Sequence, residues 1–292
     1  MIQQELLKKV RQIEFTTRRM VNDVMTGQYR SSFKGQGVQF SDHRIYVPGD
    51  DVRHIDWKVS ARSRETVIKK FDEERELTLF LIVDVSGSES FGSNGKLKSE
   101  VAAEVGAILA FAATVTGDKV GALLFGGEVE KIIPPKKGKQ HVLRIVRDLL
   151  GFQAKTPGTN LARALESAGK IMKHKGIVFV LSDFMASNYE IPLRRLARKH
   201  DVVAIRVSDE RESHVPNVGY LMFSDPETGD ERMVDTGGYA FKKWFKESHT
   251  AHETDLETAF KGGRVEQLKI MTREDHGEAV VRFFRARARR RR

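Results

Sequence analysis

The chain of 292 residues is 40% hydrophobic with a net charge of +10, enough apolar material for one large core with an appendage, or for two domains. It contains no cysteine, which excludes disulfides and thiolate metal sites and fits a reducing cytoplasm. Seven arginines and no acid fall within residues 282–292, so most of the positive excess belongs to the chain's end and the remainder is nearly balanced.

The opening MIQQELLKKV is charged and amphipathic, unlike the basic stub and apolar run of a signal peptide. Leu6, Val10, Ile13, Met20 and Val24 recur at helical spacing and predict a helix over 2–26 packed on the body. Gly27, Gly35 and Gly37 then interrupt the chain, and 38–64 reads as a polar, irregular segment with a turn at Pro48-Gly49-Asp50-Asp51. Strands are expected over 67–71 and 77–83, a long helix over 96–116, and strands over 119–125 and 129–134. Helices follow over 140–150 and 160–173, then an unbroken apolar run at 177–181, a helix over 191–199 and a strand over 202–207.

Continuous apolar strands between amphipathic helices predict an α/β domain with a mainly parallel sheet covered on both faces. Beyond it, 220–224 and 232–234 flank Asp225-Pro226-Glu227-Thr228-Gly229-Asp230 as a hairpin. A helix over 239–261, a strand over 265–271 and a helix over 277–289 complete the chain. The apolar stretches are too short or too interrupted to span a bilayer, so the reading is a soluble, cytoplasmic protein. The parts are an N-terminal extension over 1–76, a core over 77–210, and a 211–292 segment completing the same domain.

Ligands of open parallel sheets bind at the carboxyl ends of the strands. The first central strand runs out into Asp84-Val85-Ser86-Gly87-Ser88, and the 177–181 run into Ser182-Asp183. Between them Thr156-Pro157-Gly158-Thr159-Asn160 opens a helix. Asp84, Ser86, Ser88, Thr159 and Asp183 are all hard oxygen donors, which suit Mg²⁺ or Mn²⁺ and not zinc or copper. Every second side chain leaving a strand points the same way, so the D-x-S-x-S spacing lets three of them converge.

The pattern resembles the metal-ion-dependent adhesion site of von Willebrand factor A domains. The resemblance implies that Ser86, Ser88 and Thr159 touch the metal while Asp84 and Asp183 act mostly through water, leaving an open position for a partner's acidic side chain. Further upstream, Phe40-Ser-Asp42-His-Arg44-Ile-Tyr46-Val-Pro48-Gly49-Asp50-Asp51-Val-Arg53-His-Ile55-Asp56-Trp57-Lys58, followed by Ala61-Arg62, resembles the signature of the bacterial "domain of unknown function 58" family. That likeness spans roughly 25–285. It implies a von Willebrand A-like, doubly wound fold and a working partnership with a MoxR-type AAA+ ATPase. Many relatives carry two membrane-spanning helices ahead of this region, and this sequence does not.

Within the signature, Asp42, Asp50, Asp51 and Asp56 stand among Arg44, Arg53, Lys58 and Arg62. The reading taken is an internal ion-pair network around a buried Trp57; the rival is a partner-docking surface. Gly87–Lys96 imitates a phosphate-binding loop but lacks the lysine and hydroxyl at their required places. His249 and His252 are read as solvated surface. The arginine run is read as a solvated tail, ahead of a dipole-complementing helix end or an anionic-surface contact. The expectation is a non-enzymatic, metal-dependent adaptor that binds a MoxR-like ATPase or its client. The alternatives are a Mg²⁺-dependent phosphohydrolase, and a basic nucleic-acid or anionic-membrane binder with a vestigial metal site.

Overall fold

A computed structural model describes residues 8, 10–15, 39–63, 65–72, 77–90, 92, 96–152, 154–213, 215–224 and 230–290. The chain divides into two compact units, one of residues 33–77 and the other of 1–32 with 78–292.

The smaller unit pairs β1 (Gln39–Ile45) antiparallel with β2 (Val67–Asp72), joined by a connection carrying a single helical turn and α1 (Trp57–Ser63). Both β1 and α1 fall where the sequence predicts irregular chain. Asp56 explains α1, because its carboxylate accepts the N–H groups of Lys58 and Val59 and caps the first turn. The ion pairs form with a different membership than expected. Arg44 grips Asp50 through two hydrogen bonds of 2.8 and 2.7 Å, and Arg53 pairs with Asp51, but Asp56 takes His43 and Lys69. The hydrogen bond from His43 above all, with help from Val59 and Lys69, holds the Asp56 carboxyl down at about 2. Trp57 is 70% exposed, so the network does not enclose it, and the expectation of a buried tryptophan is corrected. A helix whose buried set is empty has no core to offer an indole.

The larger unit is built on β3 (Thr78–Asp84), β4 (Lys119–Phe125), β5 (Val129–Lys136), β6 (Ile177–Ser182), β7 (Asp201–Ser208) and, far along the chain, Glu266–Met271. These lie in the order Glu266–Met271, β7, β6, β3, β4, β5, all parallel except β5. Strands β3, β4 and β6 are buried nearly end to end, the condition under which a strand reads as an unbroken apolar run.

Alternate side chains feed two cores. On one face Phe80, Ile82, Val178 and Val180 pack with α4 (Leu161–Ile171), α5 (Glu190–Lys199) and α7 (Tyr239–Gly263). On the other lie α2 (Lys98–Val115), α3 (Lys139–Gly151) and α8 (His276–Arg290). There Gly106 of α2 brings the backbone against Leu149 and Leu81, and Phe179 meets Phe284 edge-on at 6.3 Å. One-turn α6 (Glu210–Ser213), the hairpin of β8 (Tyr220–Ser224) with β9 (Glu231–Asp235), and β10, the strand at Glu266–Met271, complete the order.

Of the helix expected over 2–26, residues 10–15 are helical, with Val10 buried and Glu14 paired to Lys139; the rest lies outside the described residues. The turn of the hairpin at 225–229 lies outside them too. No described helix is long and apolar enough to cross a membrane. The arginine run is not a solvated tail as far as Arg290, because α8 continues through it. Arg287 is fully buried and bonded to Asp201 at 2.5 and 2.6 Å, with Glu266 at 3.5 Å. Arg290 reaches Glu266, and Arg282 reaches Glu274. Residues 291 and 292 lie outside the described residues.

Candidate metal centre

The path of the chain selects one place on the sheet. From β3 the chain proceeds to β4 on one side, and it later returns to place β6 on the other. That reversal opens a crevice at the carboxyl ends of β3 and β6, the position where doubly wound sheets hold their ligands.

Asp84 ends β3 and Asp183 follows β6, and the register explains how they meet. Val83 lies opposite Leu181, which sets Ser182 beside Asp84. The Ser182 hydroxyl donates to Asp84 Oδ2 at 2.7 Å, and the Ser86 N–H donates to Oδ1 at 3.0 Å. Asp84, Ser86 and Asp183 are all buried. Phe184 holds a φ of +60° with its ring fully buried, a left-handed conformation that costs a non-glycine residue about 1–2 kcal/mol. This turn brings the Met185 N–H to Asp183 Oδ1 at 3.0 Å.

Thr159 is half-buried in the loop that leads into α4. Asn160 caps that helix through Arg163 N–H, and its own N–H donates to the Gly126 carbonyl at 2.8 Å. The loop is therefore hung on the end of β4, next to β3 on the same rim. Thr156 serves the loop itself, its hydroxyl donating to Glu130 at 2.6 Å. A Cβ on Gly127 would stand 2.1 Å from the Pro157 carbonyl oxygen, so only glycine lets the loop approach this closely. On the expectation that Thr159 is a ligand of a divalent ion, Gly127→Ala is expected to displace 156–159 and to weaken Mn²⁺ binding by about tenfold, as read by titration calorimetry. Wild-type affinity in that variant would show that the loop contributes no ligand. Ser88 lies in the short turn Gly87–Ser90; its side chain is outside the described residues.

Two participants were not anticipated. Glu89, in that same turn, is 1% exposed, and neither carboxylate oxygen accepts a hydrogen bond from the described residues. Asp84, Glu89 and Asp183 each present an oxygen within 4.8 Å of the others. Burial, then the charge of Asp183, pushes the Asp84 carboxyl up to about 6. Burial, then Asp183 and Asp84, drives Glu89 well above the usual carboxylate range. The second is Lys98 in the first turn of α2, 1% exposed, whose ammonium lies 2.7 Å from Asp183 Oδ2 and 2.7 Å from Glu212 Oε1.

Three carboxylates forced together in a buried space repel one another, and such a cluster is kept either by holding protons or by gathering cations. The donor set is hard oxygen throughout, which fits a divalent ion of the Mg²⁺ or Mn²⁺ type. A buried carboxylate with no hydrogen-bond donor among the described residues is a further sign of fit, since buried polar groups are normally satisfied. His249 and His252 do not join the site, and neither is the solvated surface expected. Both are half-buried; His249 stands 3.6 Å from Glu253, and burial, then Arg206, lowers the pKa of His252.

A doubly wound, mainly parallel sheet whose switch point carries Asp84, Ser86 and Asp183 is a von Willebrand factor A-like fold. The chain belongs to the family described as "Protein of unknown function DUF58", whose model matches residues 42–255. It is 30% identical over 288 residues to the uncharacterized protein Rv1480 of Mycobacterium tuberculosis, covering 98% of this chain and 90% of that protein. Among solved structures, an aerotolerance-related membrane protein from Bacteroides fragilis is similar with a TM-score of 0.50 and 13% identity, over 73% of this chain and 99% of that one. The VWA domain of SpRpn10 is similar at a TM-score of 0.43 and 10% identity, over 70% of this chain and 94% of that one.

Proposed function

We propose that the protein is a non-enzymatic adaptor that binds a protein partner through a divalent ion held at the switch point of its sheet. Asp84, Glu89 and Asp183 are the acidic groups of this reading, and Ser86, Ser88 and Thr159 its hydroxyl donors. When bound, the ion supplies an electrophilic position that an acidic side chain of the partner can occupy. The observation that carries the reading is the cluster of three buried carboxylates within 4.8 Å, one of which accepts no hydrogen bond from the described residues.

The chain's own residues do the rest. Ser182 and the Ser86 N–H orient Asp84, and the Met185 N–H orients Asp183. The partner this reading takes is a MoxR-type AAA+ ATPase, or a client of one, as the resemblance of the 40–62 signature implies. The test is a pull-down with the purified ATPase in Mg²⁺, in chelator, and with Asp84→Ala. Capture only by the wild type in Mg²⁺ supports the proposal. Capture unchanged in chelator and in the variant overturns the metal-dependent part. Phosphate-ester turnover by the purified wild type, lost in Asp84→Asn, overturns the non-enzymatic part.

A further inference from the structure

A cation already stands at this site. The Lys98 ammonium is enclosed against Asp183, one of the three clustered acids, and touches Glu212 as well. Its position is unfavourable by every local criterion. It sits in the first turn of α2, where the positive end of the helix dipole disfavours a cation, and it is almost wholly removed from water. A lysine is kept in such a place only by negative charge, and Asp183 and Glu212 provide it at 2.7 Å each.

We infer that Lys98 is the resident counter-cation of this site and that a divalent ion binds in competition with its contact to Asp183. The inference rests on the divalent-ion reading above. Asp183 Oδ2 accepts from Lys98 while Oδ1 accepts from the Met185 N–H, so an ion taking Asp183 as a ligand must displace the ammonium or sit against it. Two like charges a few ångströms apart in a dry pocket repel strongly. The lysine therefore keeps the carboxylates compatible with a folded, metal-free protein and holds the affinity for a divalent ion low. It also ties the site to α6 through Glu212, whose other oxygen accepts the Asp209 N–H. Displacement of Lys98 is thus felt at the end of β7, where that turn begins.

The test is titration calorimetry with Mn²⁺ on the full chain, comparing wild type with Lys98→Met, which keeps the length of the side chain and removes its charge. At least tenfold tighter binding by the variant is expected. Equal or weaker binding by the variant, with the wild type binding, overturns the inference and leaves the divalent-ion reading standing. Binding by the variant alone supports the inference and removes metal dependence from the native chain. No binding by either overturns both.

Should Lys98→Met fail to fold, the wild type supplies the second measurement. Side-chain ammonium signals of slowly exchanging, buried lysines are observable by ¹H–¹⁵N NMR, and that of Lys98 is expected to shift or vanish as Mg²⁺ is added. A Lys98 signal unchanged at Mg²⁺ saturation would overturn the inference.

Discussion

Replacing Arg287 with alanine is expected to destabilise the protein by about 3 kcal/mol. This side chain is fully buried, and Asp201 and Glu266 face it from the amino ends of β7 and β10. Removing the guanidinium takes the buried cation away from both carboxylates, and it also opens a void where the long side chain ran. The cost lies toward the low end of the range for buried pairs because both carboxylates retain contact with water, Asp201 at 22% and Glu266 at 29% exposure. In a chain of this size that loss lowers the melting temperature by roughly 5–10 °C. Arg287→Met, which restores the packed volume but not the charge, should recover part of it. A melting temperature for Arg287→Ala within a degree of wild type would show that the guanidinium contributes nothing to the clamp. Deleting residues 287–292 should be as damaging, so a loss of nucleic-acid or lipid binding after such a deletion would report unfolding rather than a lost contact.

The arginine was legible in retrospect. It falls three residues after Phe284, four after Phe283 and seven after Val280, all buried, and so continues the apolar stripe of α8. Composition hides this, because seven arginines in eleven residues look uniform until their phase on the helix is counted. Lys98 carried a comparable signal, as a cation in the first turn of a helix needs a reason. Glu89 carried none. The alternation that directs attention to Asp84, Ser86 and Ser88 skips it, and only the short turn Gly87–Ser90 brings it inward.

The sheet was read more easily, since β3, β4 and β6 are buried on both faces and their apolar runs coincide with the strands within a residue at each end. In the smaller unit the same logic fails. There β1 is rich in polar residues, and α1 begins because Asp56 caps it, not because an apolar stripe repeats. Ion-pair partners followed space rather than sequence, which is why Asp56 took His43 and Lys69 over Lys58 and Arg62.

The metal-free protein is expected to lose stability as pH rises from about 4 to 7, against the usual behaviour of carboxylates held by partners. The Asp84 carboxyl moves from its ordinary 3.8 to about 6 on folding, chiefly through burial and then through Asp183. The native state therefore holds a proton that the unfolded chain has released. That stabilisation is complete below about pH 4 and is lost as pH climbs through 6. It amounts to about 3 kcal/mol. Glu89, pushed up by burial, then by Asp183 and Asp84, adds in the same direction at higher pH. Asp84→Asn removes the first contribution, so it should flatten the profile and raise the denaturation midpoint at pH 7.5 while abolishing divalent-ion binding. Saturating Mg²⁺ should reverse the slope, because an ion bound to ionised carboxylates stabilises the folded state more as protons leave. Urea denaturation at pH 4, 6 and 8, with Mg²⁺ and with chelator, measures all of this. If the wild type in chelator is most stable at pH 8, the acids are already neutralised by Lys98 and its surroundings, and the cluster exerts no pull on a second cation.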